Sequence, residues 1–369
     1  DTAMTELRKV TDNTNQQYAE FFDNIGQKAK DLKIDLSDLI SQTAEWGKRG
    51  YSLDEAETLA TNSGIYSVVG EVDNATAVQD LTTVMKSYNM TVDESINIVD
   101  KFNAISNKYA VSASDIGDML SRSVSSLSVA GNTLDQAIAM GTAITEITGD
   151  AAEAGNSLKV LSMRLRGAKT ELEDAGESTE GMAVSTSKLR EDIKALTNVN
   201  GTGGFDIMKD SQNFKSTYEI MKGIANVWND LTDTSKAAVI EKIAGKQRGN
   251  TITALLTNMS QADKIVNDSI GSAGSAMSEY EKYLDSIQGR VQGFQTSIEN
   301  LSATLINGDL VKFGITSGTQ IIDVLDNLIS KFGVLETLIP TVMAGLSFKN
   351  VGKQLLKMPT YAQPQTICA

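Results

Sequence analysis

Proline is absent from most of this chain, and that absence limits the folds available to it. All three prolines among the 369 residues lie from Pro340 onward. Proline breaks helices because it lacks an amide hydrogen and its ring clashes with the preceding turn. The apolar residues of the proline-free part recur three and four positions apart, which is the helical period. We therefore predict an all-α fold of helical bundles or arrays, with long amphipathic and coiled-coil-like helices.

Apolar stripes and capping signals divide the first half of the chain into separate helices. Apolar residues share one helical face in two neighbouring segments: Ala77, Val78, Leu81, Val84, Met85 and Tyr88, then Val92, Ile96, Val99, Phe102, Ile105 and Tyr109. Four short segments have the form of a capping box: SLDE at 52, TVDE at 91, SASD at 112 and TLDQ at 133. In this motif a hydroxyl accepts from the third amide, and the third side chain reaches back. The pattern predicts an array of individually capped helices.

The composition excludes several kinds of active site. The chain has no histidine, which removes Ser-His and Cys-His nucleophile pairs, histidine-ligated zinc and the commonest general base. Cys368 is its single cysteine, so no disulfide or cysteine metal cluster can form within it. A net charge of -14 without a basic cluster argues against specific nucleic-acid binding. Carboxylates are numerous, but no catalytic pair stands out. We expect no enzymatic activity, no cofactor and no metal.

The segment IAGKQRGNT, residues 243–251, resembles a phosphate-binding loop but has the wrong spacing. A Walker loop follows a strand and has four residues between its glycines, whereas three separate Gly245 from Gly249. We predict instead a turn between two helices, formed by Gly245, Lys246, Gln247, Arg248, Gly249 and Asn250. Gly245 would end one helix in the left-handed conformation, and Asn250 or Thr251 would cap the next. The two cations would then face the carbonyl end of the first helix.

A second glycine-spaced segment, TGDAAEAGNSLKVL at 148–161, is also interpreted as a helix start. Asp150 is predicted to cap the helix and Glu153 to complete the capping box. Leu158, Leu161 and Leu165 would then be buried. This interpretation requires no ligand.

A heptad pattern lies beyond these segments. The apolar seam repeats at alternating steps of four and three: Tyr280, Leu284, Ile287, Val291, Phe294, Ile298, Leu301 and Leu305. Such a helix needs a partner helix to cover its seam. The favoured interpretation is packing against its own chain. The alternative is self-association of parallel copies, which Gly289 and Gly293 would permit by letting helices approach closely.

Changes of composition along the chain predict six segments. The stretches ELEDAGESTEG and NVNGTGG are acidic and glycine-rich, which is typical of a linker. The segments are an amphipathic lead-in helix at 1–47, a capped helical core module at 51–170, an acidic and glycine-rich linker at 171–204, a second helical block at 205–272, a heptad-patterned helix at 273–310, and an apolar helical C-terminal segment with an irregular tail at 311–369.

The sequence near the C-terminus leaves membrane contact open. VLETLIPTVMAGLSF, at 334–348, is shorter than a membrane-spanning helix and contains Glu336 and Pro340, so we interpret it as a buried helix pair. A membrane-active region near or beyond it remains an alternative. The final residues, 358–369, do not continue the helical pattern. Because the chain begins at Asp1 without a leader, we expect it to be an excerpt of a longer protein.

Several segments, taken together and in order, resemble the tail tape measure proteins of long-tailed bacteriophages and prophages. They are AEWGKRGYSLDEAETLATNSGIYSVVGEVDNATAVQDLTTVMKSYNM at 44–90, AITEITGDAAEAGNSLKVLSMRL at 143–165, FKSTYEIMKGIANVWNDLTD at 214–233, IEKIAGKQRGNTITALL at 240–256 and EKYLDSIQGRVQGF at 281–294. The resemblance covers about residues 44–310, includes the turn at 245–250, and identifies 51–170 as the core module of the family.

The resemblance implies a structural protein that lies in the lumen of the tail tube, sets tail length as tube subunits assemble around it, and leaves ahead of the DNA. It implies assembly in the host cytoplasm with the tail-tube protein, tail assembly chaperones and baseplate or tail-tip proteins as partners. Family members are usually much longer than 369 residues. The competing hypothesis is a helical coiled-coil interaction module of a non-viral bacterial protein, which the composition allows equally well.

Overall fold

Helices make up most of the described chain. The computed structural model describes residues 2–199 and 201–286, together with 289, 292–293 and 296–297. Its α-helices are α1 Thr2–Val10, α2 Asn15–Leu32, α3 Leu36–Lys48, α4 Leu53–Val69, α5 Asn74–Tyr88, α6 Ser95–Ser106, α7 Ala113–Val129, α8 Leu134–Thr148, α9 Ala151–Leu165, α10 Lys169–Asp174, α11 Thr186–Leu196, α12 Thr217–Ala225, α13 Asp233–Ile243, α14 Gly245–Thr257, α15 Met259–Ile270 and α16 Ser275–Asp285.

Most connections between these helices are short, but longer ones join α10 to α11 and α11, which ends at Leu196, to α12, which begins at Thr217. Two 3-10 helices, Val92–Glu94 and Trp228–Asp230, lie between α-helices. No strand forms in the part of the chain that the structure describes, where Met208 and Phe214 make an isolated antiparallel bridge. The predicted all-α fold is confirmed.

The capping boxes predicted from sequence begin helices as expected. Ser52, Ser112 and Thr133 each accept a hydrogen bond at the side-chain oxygen from the amide of the third residue, and each donates its own amide hydrogen to the side chain of that residue. Thr91 has the same box, but it begins the 3-10 helix that leads into α6. Because each box uses groups only three residues apart, local sequence is sufficient to place these helix starts.

One cluster of buried apolar residues has members from α1 to α16. Helix α7 packs on α9, α8 on α15, and α3 on both α1 and α4. The last described helix, α16, packs on α4 and α6, far from it in sequence. The predicted segments at 51–170 and 205–272 therefore share a core within the described residues.

The predicted single lead-in helix over 1–47 is wrong, because the chain there forms the three helices α1, α2 and α3. Thr14 adopts an extended conformation and forms a capping box with Gln17, which starts α2 anew. Lys33 then ends α2 in the left-handed conformation at φ 53°, and Asp35 caps α3. Each of these breaks changes the direction of the chain, so that α1, α2 and α3 can each pack an apolar face on the core.

The stretch at 171–204, predicted to be a linker, contains the end of α10 and all of α11 instead. Leu172 and Ile193 are fully buried and Leu189 nearly so. Arg190 donates two hydrogen bonds to the carboxylate of Asp206, at 2.8 and 2.6 Å. The acidic and glycine-rich composition suggested a linker, but these three buried apolar residues pack the stretch against the rest of the chain.

The helix predicted over 273–310 is interrupted in the described structure. Helix α16 ends at Asp285, and Ser286 is extended, with φ -68° and ψ 162°. The Ser286 hydroxyl donates to the carbonyl of Tyr283 at 2.6 Å and accepts from the amide of Gly289 at 3.0 Å. A serine that bonds in both directions at a helix boundary competes with the helical hydrogen bonds and ends α16 at this point.

Two predicted regions lie outside the described residues: the apolar segment at 311–369 and, within it, the stretch at 334–348. Among the helices that are described, none combines the length and the apolar character needed to cross a bilayer.

Candidate functional site

The candidate site is the junction between α13 and α14, where the sequence predicts a turn over 245–250. The reversal is completed by Ala244 and Gly245, and Gly245 has φ +71°. Glycine adopts this conformation without the steric cost that a side chain would bring. The remaining members of the predicted turn lie in the first turns of α14: Lys246, Gln247, Arg248, Gly249 and Asn250. The prediction that Asn250 or Thr251 caps the second helix is therefore wrong.

Arg164 occupies the space beneath this junction. Its side chain, on α9, is 1% exposed and donates to four backbone carbonyls: Ser178 at 2.9 Å, Glu180 at 2.8 Å, Glu241 at 2.8 Å and Lys242 at 3.2 Å. Burial lowers the pKa of the guanidinium. The last carbonyls of a helix lack intrahelical donors and carry partial negative charge. Arg164 supplies both donors and positive charge to the end of α13.

The other two cations meet carboxylates of the same chain. Lys246 pairs with Glu180 at 2.5 Å on the surface, where both side chains are about two-thirds exposed. Arg248 pairs with Glu177 at 2.9 Å and with Glu153, and its side chain is 18% exposed. These contacts differ from the predicted interaction with the carbonyl end of the first helix, which Arg164 makes instead. Both cations are neutralised in place, which disfavours phosphate binding here.

Glu153 shows why sequence spacing alone misassigned one contact. Asp150 caps α9 as predicted, accepting from the amide of Glu153 at 2.8 Å. The Glu153 carboxylate does not reach back to complete the box, but accepts from Ser157 at 2.9 Å, from Thr251 at 3.3 Å and from Arg248. A charged partner outcompetes the local amide. Glu153 thus joins α9 to α14.

Residues 176–181, with the sequence GESTEG, form what we call the acidic strap. It lies across the α13–α14 junction, since Arg164 holds the carbonyls of Ser178 and Glu180 from below. Glu177 and Glu180 meet Arg248 and Lys246 from outside. The strap begins and ends with glycines at φ +73° and +76°. The sequence predicted that this segment is part of an acidic linker, but it did not predict that the segment covers the α13–α14 junction.

The predicted association seam is described only in part. Tyr280 is fully buried, and its hydroxyl donates to the carbonyl of Leu32 at 2.6 Å. Leu284 packs against the same core, and its carbonyl accepts from Lys33. These two seam residues contact their own chain. The other six lie outside the described residues: Ile287, Val291, Phe294, Ile298, Leu301 and Leu305.

An open cleft with a volume of about 650 Å³ lies where the ends of α5, α7 and α15 approach α6. Lys101 crosses it and pairs with Asp135 at 2.5 Å. Tyr88 lines the same cleft, and burial raises the pKa of its hydroxyl. Lys101 and Asp135 are thus paired with each other, whereas the buried Tyr88 hydroxyl has no hydrogen-bond partner among the described residues. Among described residues, no three acidic or cysteine side chains are grouped to hold a metal ion.

Comparison with known proteins identifies a family that covers the chain up to Gly245, and Lys246 to Asn250 lie beyond the matched range. The family model described as phage-related minor tail protein matches residues 22–245, more than half of the 369 residues. That range includes α3 to α13, the acidic strap and Gly245. No solved structure matches the chain. Membership implies a structural role in the virion tail in contact with other tail components, and the chain belongs to the phage-related minor tail protein family.

Proposed function

We propose that this chain is part of a tail tape measure protein, which sets tail length, scaffolds assembly of the tail tube and leaves the tube ahead of the DNA. The observation that carries the proposal is the family match over 22–245, which overlaps the ordered tape-measure-like segments at 44–256. The proposed location is the lumen of the tail tube. The proposed partners are the tail-tube protein, tail assembly chaperones and baseplate or tail-tip proteins.

The described part of the chain suits docking better than measurement. A single α-helix extends about 1.5 Å per residue, so a protein that measures length gains most from long uninterrupted helices. Here the longest described helix, α2, has 18 residues, and the described α-helices other than α10 all contribute to one core. We therefore assign to residues 51–170, with the elements packed on them, a role as an assembly module, and place the measuring length elsewhere in the protein.

We also propose that the chain self-associates through the seam residues that follow Leu284. Tyr280 and Leu284 are covered by their own chain, so the proposed self-association rests on the other six seam residues, which lie outside the described part of the chain. Light scattering on the full chain is expected to show a multimer that Leu301→Asp with Ile298→Asp dissolves. A monomeric wild-type chain over the micromolar range would contradict this part of the proposal.

In-frame deletions in the phage test the two roles separately. Removing residues 51–170 is expected to abolish tails, because the assembly module is lost. Removing helical segments outside the compact module is expected to shorten tails by up to about 1.5 Å per residue deleted. Electron microscopy measures tail number and length, and immunoblotting of infected cells confirms that each shortened protein accumulates.

Two outcomes would contradict the proposal. Unchanged tail lengths after several different helical deletions would exclude the measuring role. Normal numbers of tails without residues 51–170 would exclude the assembly role of that module.

A further inference from the structure

Three carboxyl side chains are buried in the described structure, and one of them lacks the usual compensation. Glu57 pairs with Lys28 at 2.8 Å. Asp100 accepts from two backbone amides at the start of α16, at 2.9 and 2.8 Å. Asp80 is 6% exposed and meets no cation among the described residues, where its hydrogen bond comes from Tyr66. A buried carboxylate without a cation or amide donors is costly, so Asp80 is the buried acid most easily neutralised by a proton.

The Tyr66 hydroxyl faces two acceptors. Its oxygen lies 3.1 Å from the Asp80 carboxylate and 3.2 Å from the carbonyl of Ala113. A hydroxyl has one proton to donate, although its oxygen can also accept. Only when Asp80 carries its own proton can both distances be full hydrogen bonds: Asp80 donates to the Tyr66 oxygen, and Tyr66 donates to Ala113. When Asp80 is ionised, the Tyr66 hydroxyl donates to the carboxylate, and the carbonyl of Ala113 loses its hydrogen bond.

These residues join three helices at close range. Tyr66 belongs to α4, Asp80 to α5 and Ala113 to the first turn of α7. The carboxyl lies directly against the backbone of Gly117 on α7, where an added Cβ would come within 2.1 Å of it. No solvating side chain can therefore enter between α5 and α7 at this point. A charge on Asp80 must be accommodated by moving the helices apart or by admitting water.

The groups around Asp80 favour its neutral form. Burial raises its pKa to about 6, the hydrogen bond from Tyr66 opposes that rise, and Asp118 on α7 and Asp73, the N-cap of α5, add to it. Tyr66 is itself fully buried, with its ring edge-on to Phe102 at 5.5 Å. The burial of Asp80 and the two nearby acids therefore favour its protonated form.

We infer that Tyr66, Asp80 and Ala113 form a proton-controlled joint that locks α4, α5 and α7 together when Asp80 is neutral and loosens them when it ionises. The ordinary pKa of 3.8 applies to the unfolded chain, and the folded value is about 6. A raised folded pKa means that the stabilisation is complete below pH 3.8, declines as the pH rises, and is lost above about 6. The joint is independent of the proposed tape measure role.

The test compares the full-length wild type with Asp80→Asn, which keeps a neutral side chain of the same shape. Hydrogen exchange of α5 and α7 amides, corrected for intrinsic rates, gives their opening constants between pH 4.5 and 7.5. Relative to Asp80→Asn, opening in the wild type is expected to rise about tenfold or more over this range, because each pKa unit corresponds to a factor of ten. The exposed acid Asp93 provides the matched control: Asp93→Asn should follow the wild type.

Carbon NMR on aspartate-labelled protein tests the same joint by following the titration of the carboxyl itself in the wild type. One carboxyl resonance is expected to titrate with a midpoint near 6, to disappear in Asp80→Asn, and to move to higher pH in Tyr66→Phe, which removes the hydrogen bond to the ionised form. Equal pH dependence of opening in wild type and Asp80→Asn would overturn the inference. So would a spectrum in which every aspartate of the folded protein titrates near 4.

Discussion

Arg164 and Gly245 depend on each other at the α13–α14 junction. A Cβ placed on Gly245 would lie 3.2 Å from the Arg164 guanidinium, so the missing side chain is part of the space in which the arginine sits. Sequence reasoning predicted the left-handed glycine, because a glycine after an apolar stripe is a common helix end. It missed Arg164, whose partners are backbone carbonyls from two distant segments and leave no pattern in the residue types.

Replacing Arg164 by Met should be among the most destabilising substitutions in the chain. Four carbonyls would lose their donor in a buried place, which we expect to cost about 3–5 kcal/mol of unfolding free energy. Urea denaturation followed by circular dichroism measures the change. Arg122→Met is the control, since Arg122 is 40% exposed and pairs within its own helix, and its cost should stay under about 0.5 kcal/mol. Equal costs for the two would contradict a structural role for the carbonyl contacts.

Gly245→Ala should destabilise the protein more than Gly131→Ala. Both glycines have positive φ, at +71° and +77°, so both substitutions carry a backbone strain of about 1–2 kcal/mol. An added Cβ at Gly131 has nothing within 4 Å, whereas at Gly245 it presses on Arg164. Thermal melts of the two variants isolate the difference. If Gly131→Ala were the more damaging, the tight fit against Arg164 would be disproved.

At the scale of elements, composition predicted the exposure of the acidic strap but not its contacts. A run of acids and glycines predicted an exposed linker, and the segment does lie at the surface, but four of its groups are bound to the α13–α14 junction. The capped helices were predictable because each cap is local. The strap was not, because its partners Arg164 and Arg248 lie 14 and 71 residues away.

The two acids of the strap should differ in their contribution to stability. Glu177 and Arg248 are 17% and 18% exposed, so Glu177→Gln is expected to cost about 1–2 kcal/mol of unfolding free energy. Glu180 and Lys246 are mostly exposed, and Glu180→Gln should produce no measurable change. Urea denaturation of the two variants side by side provides the comparison. A larger effect at Glu180 would mean that the strap is held mainly by its surface pair.

For the molecule as a whole, the packing of α16 is the least predictable feature. The heptad pattern predicted an apolar seam, of which Tyr280 and Leu284 are described, but sequence could not say that Tyr280 reaches the carbonyl of Leu32. Nor could it say that Asp100 would hold the first amides of α16. Contacts between residues more than 170 positions apart arise from the arrangement of all the intervening helices.

Asp100→Ala should release α16 before the rest of the fold. The substitution leaves the amides of Gly274 and of the buried Ala276 without their acceptor, at an expected cost of about 1–3 kcal/mol. Hydrogen exchange should then show faster exchange in α16, with α7 and α9 little changed. Asp93→Ala, at an exposed position just before α6, is the control. Uniformly faster exchange throughout the molecule would show that α16 unfolds only together with the core.

The return of α16 to α2 has a mechanical consequence. Tyr280 and Lys33 fasten the last described helix to the end of α2, so tension applied to the C-terminal end of α16 acts on that attachment. Pulled from this side, α16 is expected to separate from α4 and α6, on which it packs, before the pairs α7–α9 and α8–α15 separate. The fold would yield in order, from its C-terminal helix inward, and would require little force at each step.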